Sequence, residues 1–88
     1  MRIEIDYKAV SSFKKIKDET KDKEVKKKLE KIDKALAGLI KDYVIDAATD
    51  KHYIEIEDDK KEEAEKILKA IGLVAEGKVT DAFVVMGL

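Results

Sequence analysis

Four carboxylates in this 88-residue chain are placed where they could act together. Glu4 and Asp6 alternate with apolar residues near the start, and Glu55 and Glu57 do the same beyond the middle. Strict alternation of apolar and charged residues is the pattern of a half-buried strand. Each pair therefore projects from the solvent face of its strand, and two such strands side by side gather all four groups. Clustered carboxylates are what a hard divalent cation needs. Their spacing, however, matches no known cation loop, and like charges opposite one another across a sheet are unfavourable. The expectation is a solvated acidic face, relieved by Arg2 and nearby lysines, with neither a metal nor a cofactor bound.

Other chemistries find less material. There is no Cys, which removes disulfides, thiol nucleophiles and cysteine metal sites. His52 is the only histidine. A Ser-His-Asp relay would have to recruit Ser11 or Ser12 from the far end of the chain, with nothing local to position them. Phosphate-binding loops need glycines ahead of a helix, and Gly38, Gly72, Gly77 and Gly87 all lie elsewhere. Paired carboxylates for acid–base work need one buried partner with a raised pKa, and the pattern buries no acid unambiguously. The chain is expected not to be an enzyme and to have no small-molecule substrate.

Charge is unevenly distributed although the net charge is only -1. Residues 8–34 hold eleven Lys against six acids, and residues 35–88 hold seven Lys against twelve acids. The lysines of the first segment alternate with acids at i,i+4 and lack interleaved aromatics or arginine. That is a solvated helix surface rather than a nucleic-acid footprint. A sheet that binds RNA also presents aromatics on its central strands, and only Tyr53 stands among the acids here. No apolar run approaches the roughly 18 residues of a membrane span, and no signal peptide opens the chain. A soluble, cytoplasmic protein is expected.

The elements that must position these residues are legible in outline. Residues 2–7 alternate as a strand, with Ile3, Ile5 and Tyr7 on one face. Val10, Phe13 and Ile16 mark a short helix over residues 9–17. Lys17 to Glu24 contains no apolar residue, and Thr20 and Asp22 are both competent caps for a second helix. Val25, Leu29, Ile32, Leu36, Leu39 and Tyr43 are spaced 4, 3, 4, 3, 4, one continuous helical stripe. Gly38 inside it predicts close approach of another backbone. Val44–Ala48 and His52–Glu57 read as a hairpin with a three- to five-residue loop, and Ile54 and Ile56 face the core. Asp58 or Asp59 then caps a third helix over residues 59–71, with Glu62 completing a capping box and Gly72 ending it. Residues 79–86 read as a last strand, apolar on nearly both faces.

The order β-α-α-β-β-α-β predicts a single domain over residues 1–88. Its fold class is α+β, a two-layer sandwich with a four-stranded sheet covered by helices on one face, ferredoxin-like or a mixed-sheet variant. The strand at Ile3–Tyr7 and the Lys-rich stretches Phe13-Lys14-Lys15-Ile16 and Val25–Leu36 resemble the opening of RelE/ParE-type toxins. The resemblance covers under half the chain. Such toxins continue as antiparallel strands with basic residues, whereas an acidic helix follows here and the pI is about 5.9; the match is rejected.

Pro, Cys, Trp, Asn and Gln are all absent, and Lys outnumbers Arg by 18 to one. Heat adaptation removes thermolabile residues in favour of Lys and Glu, and design fills helix surfaces in the same way; the missing proline favours design. A thermostable, non-catalytic scaffold or interaction protein that self-associates is expected. The alternative is a small natural binding module from a heat-adapted organism acting as a homodimer, and a remote one is a divalent-metal-dependent enzyme using the acidic sheet face of Glu4, Asp6, Glu55 and Glu57. A helix from Asp22 to Tyr43 spans about 33 Å and overhangs a sheet of shorter strands. The terminal strand is expected to leave an apolar face or edge uncovered. Val79, Phe83 and Val85, with Tyr53, are accordingly the candidate interface of a homodimer.

Overall fold

Asp6 sets the first boundary. The strand that the opening alternation forms, β1, is Arg2–Ile5, and at Asp6 the chain turns into a helix. Its Oδ1 accepts hydrogen bonds from the Lys8 N–H at 3.0 Å and the Ala9 N–H at 3.2 Å, satisfying two amides that a first turn otherwise leaves free. Tyr7 is therefore the first residue of α1 (Tyr7–Glu19), and Asp6 is a helix cap rather than a member of the sheet face. The computed structural model describes residues 1–88.

Asp22 repeats the device. Thr20 is extended, and Asp22 Oδ1 accepts from the Glu24 and Val25 N–H groups at 3.0 and 3.3 Å. The break between the first two helices falls there, and α2 is Lys23–Leu39. The helix is about 26 Å long at 1.5 Å per residue, shorter than the stripe implied. Leu29, Ile32 and Leu36 are buried, but Tyr43, the last residue of the stripe, belongs to a strand. A run of Tyr43-Val44-Ile45 favours the pleated, half-buried surface of a sheet. Gly38 meets no neighbour within 4 Å of where a Cβ would stand, so the close approach expected there does not occur.

The hairpin forms as β2 (Asp42–Asp46) and β3 (Lys51–Glu55), joined by the four residues 47–50. Asp46 Oδ1 accepts from the Ala48 N–H at 3.0 Å, and Asp50 takes the left-handed conformation at φ 56°, which Asp tolerates better than most residues. β3 lies at the centre, antiparallel to both neighbours, in the order β1-β3-β2. Met1 extends the ladder, its carbonyl accepting from Ile56 N–H at 2.8 Å and its amino group donating to Ile56 O at 2.9 Å.

The sheet has three strands and the protein four helices, which overturns the four-stranded, ferredoxin-like or mixed-sheet expectation. Residues 79–86 are the cause. They form α4 (Val79–Met86). Val79, Ala82, Phe83 and Met86 are spaced 3, 1, 3, which is a helical face as well as part of an apolar run. Ala82 and Phe83 are buried, Val79 and Met86 half-buried, and Thr80, Asp81 and Val84 exposed, which is the helical alternation. α4 packs on α3 (Lys61–Ala75).

α3 also differs at both ends from its expected range of 59–71. Asp58–Lys60 form one 3-10 turn, and no side chain caps the start of α3, so the capping box is not made. Helix continues through Gly72 to Ala75 because Leu73 and Val74 prolong its apolar stripe, with Val74 fully buried. It stops at Gly77, whose φ of 85° is open to glycine at little cost. There the Gly77 N–H donates to Val74 O and the Lys78 N–H to Leu73 O, the paired closure of a helix end.

The core consists of 14 buried residues, all apolar. Ile5, Ile54 and Ile56 contribute from the sheet side, Phe13 from α1, Leu29, Ile32 and Leu36 from α2, and the remainder from α3 and α4. α3 is the hub, touching each of the other three helices, whereas β2 makes substantial contact only with β3.

Candidate functional site

Each of the four carboxylates has its own partner. Asp6 caps α1. Glu4 meets Lys51 Nζ at 3.4 Å, and Glu57 meets Lys41 Nζ at 3.0 Å. Glu55 lies 3.1 Å from the Met1 ammonium and 3.5 Å from Arg2 Nε. The ammonium's hydrogen bond holds the Glu55 carboxyl below its usual range. Reciprocally, Asp58 and then Glu55 hold the amino group above its own. Glu57 does the same for Lys41. Glu4 and Glu55 are on adjacent strands, but the register sets Glu4 opposite Tyr53 and Glu55 opposite Arg2. The structure does not gather the four, and no group of three or more metal-ligating side chains occurs anywhere in it.

Three of the four interface candidates, Val79, Phe83 and Val85, stay together on α4, and Tyr53 lies apart from them. Tyr53 lies on the outer sheet face, between Glu4 and Val44 on the neighbouring strands. Val79, Phe83 and Val85 are in the helical layer. Phe83 is only 9% exposed, and Lys28 Nζ lies over its ring at 5.1 Å from the centroid. The apolar edge strand that was to pair two copies does not exist; on α4 the one large apolar side chain left open is Val84, 74% exposed.

What the fold does assemble is a cluster the sequence reading missed. Tyr7, Tyr43 and His52 meet on the helix side of the sheet. Tyr7 stacks on the His52 ring, and Tyr43 meets it edge-on with centroids 5.6 Å apart. Tyr43 Oη and His52 Nδ1 share a hydrogen bond of 2.6 Å. Partial desolvation, then the neighbouring Tyr7 phenol, push the half-exposed Tyr43 phenol above its usual pKa, so at neutral pH the phenol keeps its proton. The detectable signal was the hairpin register. It sets Ile45 opposite His52, with Tyr43 on the same face two residues away, but assigning Tyr43 to the preceding helix conceals it.

An open cleft of about 350 Å³ runs between α1 and β2 beside this cluster, lined by Tyr7, Val10, Ser11, Lys14, Tyr43, Ile45 and His52. Ser11 and His52 thus share a wall, yet no hydrogen bond joins them and the ring's one hydrogen-bond partner is Tyr43. A catalytic relay needs the serine on one ring nitrogen and a carboxylate on the other; neither contact is made.

β2 is the one strand without a buried residue. It is an edge strand, and its helix-side residues Tyr43 and Ile45 are 42% and 57% exposed. The Tyr43 N–H is taken by the Asp42 carboxylate at 2.9 Å instead of by a strand. No helix in the protein is long and apolar enough to cross a membrane. Among known proteins, the chain matches no family model, no curated sequence and no solved structure.

Proposed function

We propose that this protein is a non-catalytic interaction module that docks a partner on β2 and the adjoining cleft. The observation that carries the reading is the exposure of β2 on two sides at once: a backbone edge without a neighbour, and an apolar face of Tyr43 and Ile45 that no helix covers. Tyr7, 53% exposed, continues that face across the cleft. Exposed apolar surface of this kind marks interaction sites, and edge strands are templates for pairing with another chain. His52 helps to order this surface, its ring stacked on Tyr7 and hydrogen-bonded to Tyr43.

Selection of random displayed peptides on the immobilised protein tests the reading. Peptides are expected to emerge that lose binding to Ile45→Glu and keep it for Val84→Glu, an exposed apolar position on α4. If no peptide is selected, or if selected peptides are indifferent to Ile45→Glu, the docking face lies elsewhere or does not exist.

A further inference from the structure

The chemistry of β2 specifies what it docks. Its sequence is Asp42-Tyr43-Val44-Ile45-Asp46. Through the register, Asp42, Val44 and Asp46 share the outer face, opposite Glu55, Tyr53 and Lys51 of β3, while Tyr43 and Ile45 share the helix side. Both aspartates lack a cationic partner. Lys51, opposite Asp46, reaches instead to Glu4, and the cations nearest Glu55 are spent on Glu55 itself. The free edge of the sheet thus carries two unneutralised carboxylates, four residues or about 13 Å apart at 3.3 Å per residue, with an apolar pair between them on the opposite face.

A second copy of this chain fits that edge poorly. Antiparallel pairing of two β2 strands about Val44 sets Asp42 against Asp46 of the other copy at both ends, which is destabilising. Shifting the register by two residues sets an aspartate against Val44 and shortens the ladder. Acidic ends of this kind blunt self-pairing, and they favour a strand of opposite charge.

Resting on the docking reading above, we infer that β2 binds an extended segment of a partner protein as a fourth strand. That segment carries Lys or Arg at its first and fifth positions and apolar residues at its second and fourth. Main-chain hydrogen bonds along the edge supply affinity, and alternate side chains supply specificity. The two basic residues lie opposite Asp46 and Asp42, and the two apolar residues lie beside Ile45 and Tyr43. Pairing also replaces the local bond from Tyr43 N–H to Asp42 with a ladder bond and leaves the carboxylate for the incoming cation.

The probe is a capped peptide, Thr-Lys-Val-Thr-Val-Lys-Thr, beside its counterpart with both Lys replaced by Glu, titrated by fluorescence anisotropy at low salt. The variant is Asp42→Asn with Asp46→Asn, which removes both charges and keeps the Oδ1 acceptors of the Tyr43 and Ala48 N–H groups. Wild type is expected to bind the Lys peptide about tenfold or more tightly than the Glu peptide. The double variant is expected to lose that preference, and the bound Lys peptide to slow amide exchange along residues 42–46. Equal binding of both peptides, abolished by Ile45→Glu, overturns the charge rule and leaves the docking face standing. Binding without slowed exchange overturns strand addition. Concentration-dependent dimerisation that Ile45→Glu prevents, with neither peptide bound, makes a second copy the occupant and overturns this inference. If neither peptide binds and no dimer forms, the inference falls, and the displayed-peptide selection decides the docking reading separately.

Discussion

The ring of Tyr7 lies over the imidazole of His52, centroids 4.5 Å apart and planes 16° from parallel. The contact ties the first residue of α1 to the central strand, 45 residues on in the chain. Because Tyr7 directly follows the cap residue Asp6, one turn of backbone both starts the helix and anchors it to the sheet. Aromatic pairs of this geometry contribute about 0.5–1.5 kcal/mol beyond their buried area. Tyr7→Ala is therefore expected to cost about 1 kcal/mol, a Tm decrease of about 4–8 °C for a domain of this size. Tyr7→Phe, which keeps the ring, is expected to stay near wild type. Equal losses in the two variants would show that the hydroxyl, not the stack, matters.

Lys17 and Asp33 join α1 to α2 at 2.9 Å, both largely shielded from solvent. Asp33's hydrogen bond holds the Lys17 ammonium above its usual pKa. A folded-state pKa above the unfolded value of about 10.4 means that the pair's contribution is present below that pH. It is lost as pH rises through the folded value. Asp33→Asn is expected to lower Tm relative to wild type by a constant amount between pH 7 and 9, with the gap closing above about pH 10.4. A gap that widens with alkalinity would reverse the assigned sign.

α4 makes opposite demands on neighbouring residues. Phe83 is buried against α3, and Val84 points to solvent. Phe83→Ala is expected to cost about 3–5 kcal/mol in chemical denaturation, and Val84→Lys no more than about 0.5 kcal/mol. Comparable costs at the two positions would fit a segment buried on both faces and would contradict the helix.

Gly77 is a sharper probe of the α3 end. Its φ of 85° is strained for any L side chain, although open space surrounds the position. Gly77→Ala is expected to destabilise by about 1–2 kcal/mol through the backbone alone. Gly38→Ala, in a helix and equally unobstructed, is expected to stabilise by up to about 1 kcal/mol. Opposite signs for the same substitution, read from denaturation midpoints, check both helix boundaries.

Thermal stability is an expectation of composition alone. No buried side-chain polar atom lacks a hydrogen bond, and the core is wholly apolar. A melting midpoint above the ordinary range of about 45–65 °C is expected, and one inside that range would count against both a heat-adapted and a designed origin.

Local rules were enough for much of the chain. The 4, 3 spacing from Val25 to Leu39 set the buried face of α2, and the alternation at Ile3 and Ile5 set that of β1. Ile54 and Ile56 are buried as their alternation implies, because the strand period of two and the helix period of 3.6 are properties of the backbone and need no partner. Asp22 is the cap its type and place indicate, since an N-cap bond spans three residues. Tertiary structure decided what lay beyond that range. Asp6 and Tyr43 each satisfied a local pattern and were used for another. Residues 79–86 are too short and too uniformly apolar for periodicity to choose between helix and strand; packing against α3 chose. The open edge at β2 and the Tyr7–Tyr43–His52 cluster depend on strand order and register, which bring residues far apart in the chain to one face. No local spacing carries that information, because it arises only when the hydrophobic faces find one another.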